Sequence, residues 1–308
     1  MRKSFHICII SSCRIETMKP KLLAVVLPFL IAANAIAQTA KHLEDQIYMK
    51  DGGTAFTCDV SLPTKPNGIA ILHMVSGGWA SDHKNINPAL AAAANARGFT
   101  LVQVVHGTQP KFKVPEILKQ ISRAVRFVRY NAKAYGINPN KIAITGGSSG
   151  GHLSLMTAAA GAEGIPNSTD SIDQTSAVIN SVGVFFPPTD FMNFGKEGVF
   201  SFDNPLLKSA FGKAFIDDEK SAKRDDMIKM GQTLSPINFI TDKMPPTMLV
   251  HGDKDMLVPL QQSQIAIAKL ESLKIKCKLE VVPGGGHGWA NMIPQLNQLM
   301  DWFEETLK

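Results

Sequence analysis

Short apolar runs alternate with segments of helical periodicity along most of this chain. The apolar runs are rich in β-branched residues, which is typical of strands buried on both faces of a sheet. Strands are predicted at 47–50, 54–62, 68–75, 99–105, 141–145, 175–186, 246–251 and 275–282. Helices are predicted at 88–97, 115–135, from the turn after residue 145 to about 160, at 259–273 and at 291–307.

This alternation indicates parallel β-α-β units. The turn Asp51-Gly52-Gly53 joins the first two predicted strands, which we expect to form an antiparallel hairpin at one edge. The predicted fold class is therefore α/β, with a mostly parallel eight-stranded sheet and helices on both faces.

Residues 187–243 interrupt the alternation. Phenylalanine, glycine and proline are interspersed there among charged residues, and one short helix is indicated around 217–231. We interpret this stretch as a small cap insertion. Asp190 and the aromatic residues Phe186, Phe191 and Phe194 lie in or beside it and are candidates for shaping a pocket, although core packing explains them equally well.

The amino-terminal residues predict a targeting segment. From Met18 the chain reads M-K-P-K, followed by the apolar run 22–31 and by Ala35-Ile36-Ala37. Regions in this order are typical of a secretory signal that is cleaved after Ala37, and the apolar run is too short to span a bilayer comfortably. We predict that residues 1–37 hold a signal peptide whose translation starts at Met18, that residues 38–308 form one domain, and that the protein is secreted or periplasmic. A retained amino-terminal anchor is the competing interpretation.

Composition and charge exclude other classes of protein. The 308 residues, of which 44% are hydrophobic, are enough to bury a full core. The formal charge is +6, but residues 1–37 hold five basic residues and one acidic residue, so the remainder carries only +2. So small an excess of positive charge does not indicate a nucleic-acid-binding surface. No Cys/His cluster has metal-ligand spacing, and no glycine-rich loop matches a dinucleotide or phosphate motif, so neither a metal nor an organic cofactor is predicted.

The cysteines do not predict a disulfide. Cys8 and Cys13 fall in the predicted signal peptide, which leaves Cys58 and Cys277. Two cysteines in an exported protein can pair, but these two lie in an early and a late predicted strand, far apart in the sheet. We expect two free, mostly buried thiols.

The candidate nucleophile lies in residues 142–155, where a buried strand meets a glycine cluster and then a helical segment. Gly146-Gly147-Ser148-Ser149-Gly150 matches G-x-S-x-G, in which a serine occupies a strained turn and small flanking residues let strand and helix pass closely. The pattern also fits one residue later, centred on Ser149, and spacing alone does not separate the two serines. Because glycine and serine also cluster in ordinary turns, the pentapeptide is a moderate signal.

Two later loops supply a candidate acid and a candidate base. Asp255 follows the strand predicted at 246–251, and His287 follows the last strand, so both lie at the carboxyl edge of the sheet. We predict that Asp255 accepts the imidazole N–H of His287 and that His287 is the general base for Ser148. Asp253 is the rival acid on proximity, and either aspartate also fits an ordinary turn role. The chain order serine, aspartate, histidine is the one expected after such a turn.

Together these motifs resemble the α/β-hydrolases from about residue 45 to the end of the chain. The resemblance rests on residues 146–153, on His251-Gly252-Asp253-Lys254-Asp255 and on His287-Gly288-Trp289. It is strongest to the branch that contains bacterial esterases of the feruloyl and acetylxylan type and the prolyl-oligopeptidase catalytic domains. It implies the α/β-hydrolase fold and favours Ser148 over Ser149 as the nucleophile, with Asp255 and His287 as acid and base.

The chain departs from this family at the oxyanion hole. Relatives usually carry His-Gly-Gly-Gly-Trp, whereas this chain has Val75-Ser76-Gly77-Gly78-Trp79. We predict that the backbone N–H groups of Gly77, Gly78 and Ser149 bind the developing oxyanion, with a plain turn as the alternative. A second departure is His106-Gly107, where relatives often have Tyr-Arg.

The candidate pocket residues are Trp79, His106, Asp190 and Trp289, each with a packing role as the alternative. His73 and His152 are predicted to pack rather than to react.

The resemblance implies a serine hydrolase, and specifically a carboxylesterase that acts on acylated carbohydrate or similar small esters through an acyl-enzyme. A prolyl-oligopeptidase-like peptidase ranks second, because those enzymes generally carry a large additional domain and only a few dozen residues precede the hydrolase core here. A catalytically weak binding protein that keeps the fold is a third interpretation. The predicted partner is a small-molecule or carbohydrate ester, without stable membrane insertion, and the sequence indicates no oligomeric state.

Overall fold

A computed structural model describes residues 41–216 and 223–308, so the predicted signal peptide lies outside the described residues. The described part contains one eight-stranded sheet with the strand order β1-β2-β4-β3-β5-β6-β7-β8. Strands β1, β2 and β4 pair antiparallel, and all the other pairs are parallel. The strands are β1 Lys41–Asp51, β2 Thr54–Leu62, β3 Gly68–Met74, β4 Thr100–Val105, β5 Ile137–Gly147, β6 Ser181–Phe185, β7 Thr247–Gly252 and β8 Cys277–Val282.

Helices cover both faces of the sheet, as predicted. They are α1 Pro88–Ala96, α2 Val114–Tyr130, α3 Ser149–Ala160, α4 Pro205–Phe211, α5 Arg224–Thr233, α6 Gln261–Ser272 and α7 Ile293–Thr306. Buried residues of α2, α3 and α6 belong to one hydrophobic core, and those of α1 and α7 belong to a second core. In α2 the side chains of Ile117, Ile121 and Val125 are fully buried, which is the amphipathic spacing that predicted this helix.

The strand predicted at 175–186 is shorter than expected, because β6 begins only at Ser181. Arg126 and Arg129 of α2 explain the difference: their guanidinium groups donate to the backbone carbonyls of Thr175, Ser176 and Val178. Carbonyls occupied in this way do not join a β-ladder.

The insertion at 187–243 contains α4 and α5, with residues 217–222 outside the described part. The helix expected around 217–231 is described from Arg224 to Thr233. Four phenylalanine rings of the insertion pack with centroids 4.8 to 5.8 Å apart, namely Phe191, Phe200, Phe202 and Phe215. The insertion therefore has an aromatic core, which is continuous with the larger of the two hydrophobic cores.

Both described cysteines are free thiols, as predicted. Cys58 lies on β2 and Cys277 on β8, with five strands between them. Cys58 is fully buried, which raises the pKa of its thiol, whereas Cys277 is only half-buried. Within residues 41–216 and 223–308, no helix combines the length and the apolar character needed to cross a membrane.

Candidate active site

Ser148 occupies a strained turn between β5 and α3. Its backbone has φ 53° and ψ −120°, a conformation that side-chain-bearing residues rarely adopt. A Cβ atom on Gly146 would lie 2.6 Å from the carbonyl carbon of Gly150, and one on Gly150 would lie 3.0 Å from the Met74 carbonyl oxygen. Strand, turn and helix therefore pass this closely only because glycines flank Ser148 at two residues on either side.

The structure separates the two serines. Ser148 Oγ lies 2.8 Å from His287 Nε2. Ser149 is 1% exposed, and its hydroxyl lies 3.0 Å from Ser76 Oγ. Of the two, only Ser148 is next to a base.

His287 also contacts Asp255, with 2.7 Å between Nδ1 and Oδ2. A carboxylate accepts hydrogen bonds, so Nδ1 carries the ring proton and the lone pair of Nε2 faces the Ser148 hydroxyl. An imidazole in this tautomer is able to take the serine proton. The predicted nucleophile, base and acid thus form one continuous hydrogen-bonded row.

Asp255 is buried and held in its ionised form. Burial alone would raise the pKa of this carboxyl, but hydrogen bonds from His251 and His287 and from the backbone N–H groups of Val258 and Leu257 outweigh that effect and lower the pKa well below its usual range. Asp253, the alternative candidate for the acid, has a different partner. Its Oδ1 accepts the backbone N–H of Gly284 at 2.7 Å and so joins the loops after β7 and β8.

His251 is a supporting residue to which the sequence analysis assigned no role. It is fully buried, with Nε2 2.8 Å from the Val258 carbonyl oxygen and 3.4 Å from Asp255 Oδ2. Because a carbonyl only accepts, Nε2 carries the proton, and Nδ1 accepts the Ser263 hydroxyl at 2.7 Å. The imidazole therefore ties the Asp255 loop to α6. Its position within the His-Gly-Asp-Lys-Asp motif could have indicated this supporting role from the sequence.

The three N–H groups predicted for the oxyanion hole differ in their hydrogen bonds. The amide N–H groups of Ser149 and Gly78 have no protein acceptor among the described residues. Gly77 differs from the prediction, because its N–H donates to the Ala80 carbonyl at 2.9 Å and is already occupied. Gly78 has φ +57°, and a Cβ there would lie 2.7 Å from the Phe211 ring.

Trp79 is buried beside this turn. Its indole N–H donates to His152 Nδ1 at 3.1 Å, and His152 Nε2 donates to the Leu234 carbonyl at 2.7 Å. Burial lowers the pKa of His152 to about 4, so the ring stays neutral. The rings of Phe211 and Phe215 pack edge-on against the indole at 5.6 and 5.0 Å. His152 is therefore a support for the pocket wall.

Two recesses meet at Ser148. The first, the narrow cavity, has a volume of about 30 Å³ and is lined almost entirely by apolar side chains: Trp79, Pro188, Phe191, Phe194, Phe202, Leu207, Phe211, Leu257 and Val258. The second, the open recess, has a volume of about 460 Å³ and includes polar side chains: its lining includes His73, Ser76, Asn85, Phe186, Phe211 and His287. The Phe186 ring lies 4.6 Å from the His287 ring, centroid to centroid.

Three predicted pocket residues lie outside both recesses. His106 is buried, has Nδ1 2.7 Å from the Gly107 carbonyl and lines a separate depression beside β2 and β4. Asp190 accepts the backbone N–H groups of Met192 and Asn193 and stabilises a turn. Trp289 donates to Gln295 and packs on Phe185 and Phe186. These residues satisfy local backbone or packing needs, and none of the three is among the residues that line either recess.

The eight-stranded sheet, the order of its strands and the strained serine turn define this chain as an α/β-hydrolase. More particularly, the family model called BD-FAE matches residues 58–270, and the chain belongs to that family.

Individual relatives agree with this assignment. The probable carboxylic ester hydrolase LipM of Mycobacterium tuberculosis is 25% identical over 206 residues, which cover 66% of this chain and 45% of that protein. The acetylxylan esterase of Xylanibacter ruminicola is 26% identical over 263 residues, or 84% of this chain and 48% of that protein. The chain thus spans about half the length of these two relatives. A solved structure, the truncated form of a carbohydrate esterase from gut microbiota, superposes with a TM-score of 0.69 at 25% identity, covering 86% of this chain and 96% of the other.

Proposed function

We propose that the chain is a carboxylic ester hydrolase that uses Ser148, His287 and Asp255 as its catalytic residues. One observation carries the proposal: the distances of 2.8 and 2.7 Å link these side chains in a single row beside a strained serine turn. The names of the similar proteins support the same activity, since one is a probable carboxylic ester hydrolase and another an acetylxylan esterase.

The proposed reaction is acyl transfer in two steps. Ser148 Oγ attacks the ester carbonyl carbon while its proton passes to His287 Nε2, and the Asp255 carboxylate stabilises the imidazolium that forms. The N–H groups of Gly78 and Ser149 bind the oxyanion. The imidazolium then returns the proton to the departing alcohol, and water, activated by His287, releases the acid from the acyl-enzyme.

The substrate proposed is a carbohydrate that bears short acyl groups. A cavity of about 30 Å³ beside Ser148 has room for only about two groups the size of a water molecule. A methyl or ethyl group fits there, and the open recess receives the alcohol. The signal-like residues 18–37 lead us to propose further that the protein is exported, to the periplasm or the medium, where such polymers occur.

Steady-state hydrolysis of p-nitrophenyl acetate, acetylated xylo-oligosaccharides and a prolyl peptide amide tests this function. We expect turnover of the two esters and none of the amide. Hydrolysis of the amide alone would establish a peptidase instead, and no turnover of any of the three would favour a binding protein.

Labelling with a fluorophosphonate probe tests the choice of nucleophile independently of substrate. Ser148→Ala is expected to abolish labelling, and the matched variant Ser149→Ala is expected to retain it, because its backbone N–H is unchanged. The reverse result would refute the assignment of Ser148.

A further inference from the structure

A second cluster of ionisable side chains lies at the β1–β2 edge of the sheet, outside both recesses. It comprises Asp45 on β1, Asp59 on β2 and His83, which opens the 3₁₀ helix His83–Asn85. One ligand atom from each of the three lies within 4.8 Å of the others. We call this group the His83 cluster.

The two distances from His83 to the carboxylates match those between ligands of one metal ion. His83 Nε2 lies 3.4 Å from Asp59 Oδ1 and 3.5 Å from Asp45 Oδ1. Both separations exceed the usual N–H···O range of about 2.7 to 3.2 Å. Two ligands about 2.0 to 2.2 Å from a tetrahedral zinc ion are separated by about 3.3 to 3.5 Å. The distances from the imidazole nitrogen to both carboxylates are therefore those expected between ligands that share one metal ion.

Asp59 brings a buried carboxyl group to the cluster. Its side chain is 3% exposed, and within residues 41–216 and 223–308 its ion-pair partners are His42 and His83, with no lysine or arginine among them. A buried carboxylate is costly unless a positive charge or a metal compensates it. A cation in the cluster supplies that compensation.

The remaining contacts of Asp59 leave one coordination direction open. His42 lies 3.2 Å from Oδ2, and the backbone N–H of Asp45 donates to Oδ1 at 3.0 Å. Each carboxylate oxygen has two lone pairs, so Oδ1 retains one that is directed to neither of these donors. His42 is itself oriented, because Ser61 Oγ lies 2.9 Å from its Nδ1. Hydrogen-bonded supports of this kind orient metal ligands in proteins.

We propose that Asp45, Asp59 and His83 bind a divalent transition-metal ion of the zinc type, with His42 orienting the Asp59 carboxylate. The imidazole favours zinc over calcium and magnesium, which prefer oxygen ligands alone. Three protein ligands leave at least one position for water. The ion would join the β1–β2 hairpin to the segment that follows Gly78, five residues before His83, and so stabilise the loop that carries an oxyanion donor.

Calorimetric titration of tag-free, EDTA-treated and dialysed protein with zinc chloride tests the site without reference to esterase activity. We expect saturable binding of one ion per chain at micromolar concentration. His83→Ala and Asp45→Asn are expected to weaken binding by about 100-fold or more, and His42→Ala by about 10- to 100-fold. At a zinc concentration 100 times Kd, the Tm of the wild type should rise by about 5 to 10 °C.

Glu44→Gln is the matched control, because Glu44 is an exposed carboxylate next to Asp45 that lies 4.0 Å from His42 and outside the cluster. Its affinity for zinc should remain that of the wild type. Absence of saturable zinc binding would overturn the proposal. Equal losses in Glu44→Gln and Asp45→Asn, or calcium binding as tight as zinc and unaffected by His83→Ala, would reduce the cluster to a general acidic patch and would also overturn it.

Discussion

The two recesses that meet at Ser148 are built from different parts of the chain. The insertion contributes Phe191, Phe202 and Leu207 to the narrow cavity, whereas the open recess is formed mainly by residues at and after the ends of β3 and β5. One recess is small and apolar, and the other is wide and partly polar. On the function proposed above, the insertion limits the acyl group, while the sheet edge admits alcohols of varied shape.

Replacement of Asp255 by Asn tests whether both recesses serve one reaction centre. The amide no longer stabilises the imidazolium and favours the wrong tautomer of His287, so kcat should fall by about 10⁴-fold for every ester, whatever its acyl group or alcohol. Steady-state kinetics on an ester series provides the measurement.

Asp253→Asn is the control, since Asp253 lies in the same loop but its side chain accepts the Gly284 N–H, whereas His287 bonds to Asp255. It should retain most of the activity. A loss in Asp255→Asn that was confined to one acyl group would contradict a shared centre.

Each recess also depends on a neutral buried histidine, His152 behind the narrow cavity and His73 in the wall of the open recess. Burial lowers the pKa of both rings to about 4. In the unfolded chain each of these histidines binds a proton once the pH falls below about 6.5, whereas in the folded protein it stays neutral until the pH approaches 4. The free energy of unfolding is therefore unaffected by these groups above pH 6.5 and decreases as the pH falls toward 4.

For His152, which is fully buried, the loss should reach about 3 kcal/mol at pH 4. Urea unfolding at pH 7 and at pH 4 measures it. His152→Gln, which does not titrate, should show a correspondingly smaller decrease in unfolding free energy between the two pH values. An unchanged pH dependence in that variant would show that His152 is protonated in the folded state.

Truncation of Leu207 tests whether the narrow cavity limits acyl length. Leu207→Ala enlarges the cavity by removing a side chain from its wall, so kcat/KM for a butyrate ester relative to an acetate ester should rise by about 10-fold, the usual value of a methylene group in an apolar pocket. The neighbouring Leu206 is 79% exposed. Leu206→Ala should therefore leave the ratio unchanged, and equal shifts in the two variants would argue against the cavity as the acyl site.

Asn85 tests the open recess, with the smallest expected effect. If its amide binds a hydroxyl of the carbohydrate, Asn85→Ala should raise KM for acetylated xylo-oligosaccharides by about 5-fold, the contribution of one hydrogen bond, and leave p-nitrophenyl acetate unaffected. Lys84→Ala serves as the control on the same 3₁₀ helix. An equal effect of Asn85→Ala on both esters would place the sugar elsewhere.

The sequence predicted the sheet and the positions of Ser148, Asp255 and His287 because these depend on local patterns. Buried strands are recognised in a sequence as short apolar runs, and parallel strands place their carboxyl ends at the same edge of the sheet. The lining of the two recesses does not follow from local patterns, because the direction of a loop side chain depends on its backbone hydrogen bonds. Asp190 and His106 contact neighbouring backbone groups instead of facing Ser148. The phenylalanines of the insertion indicated the pocket more accurately, since Phe191 and Phe194 line the narrow cavity.

The close approach between Gly78 and Phe211 has a consequence for sequence variation. A methyl group at position 78 would overlap the Phe211 ring, which forms part of both recesses. Gly78→Ala should therefore be harmful for two reasons, this overlap and the strain of a side chain at φ +57°. A smaller residue at position 211 removes only the overlap, so the two positions are epistatic, and a laboratory lineage could accept alanine at 78 more easily after position 211 had changed.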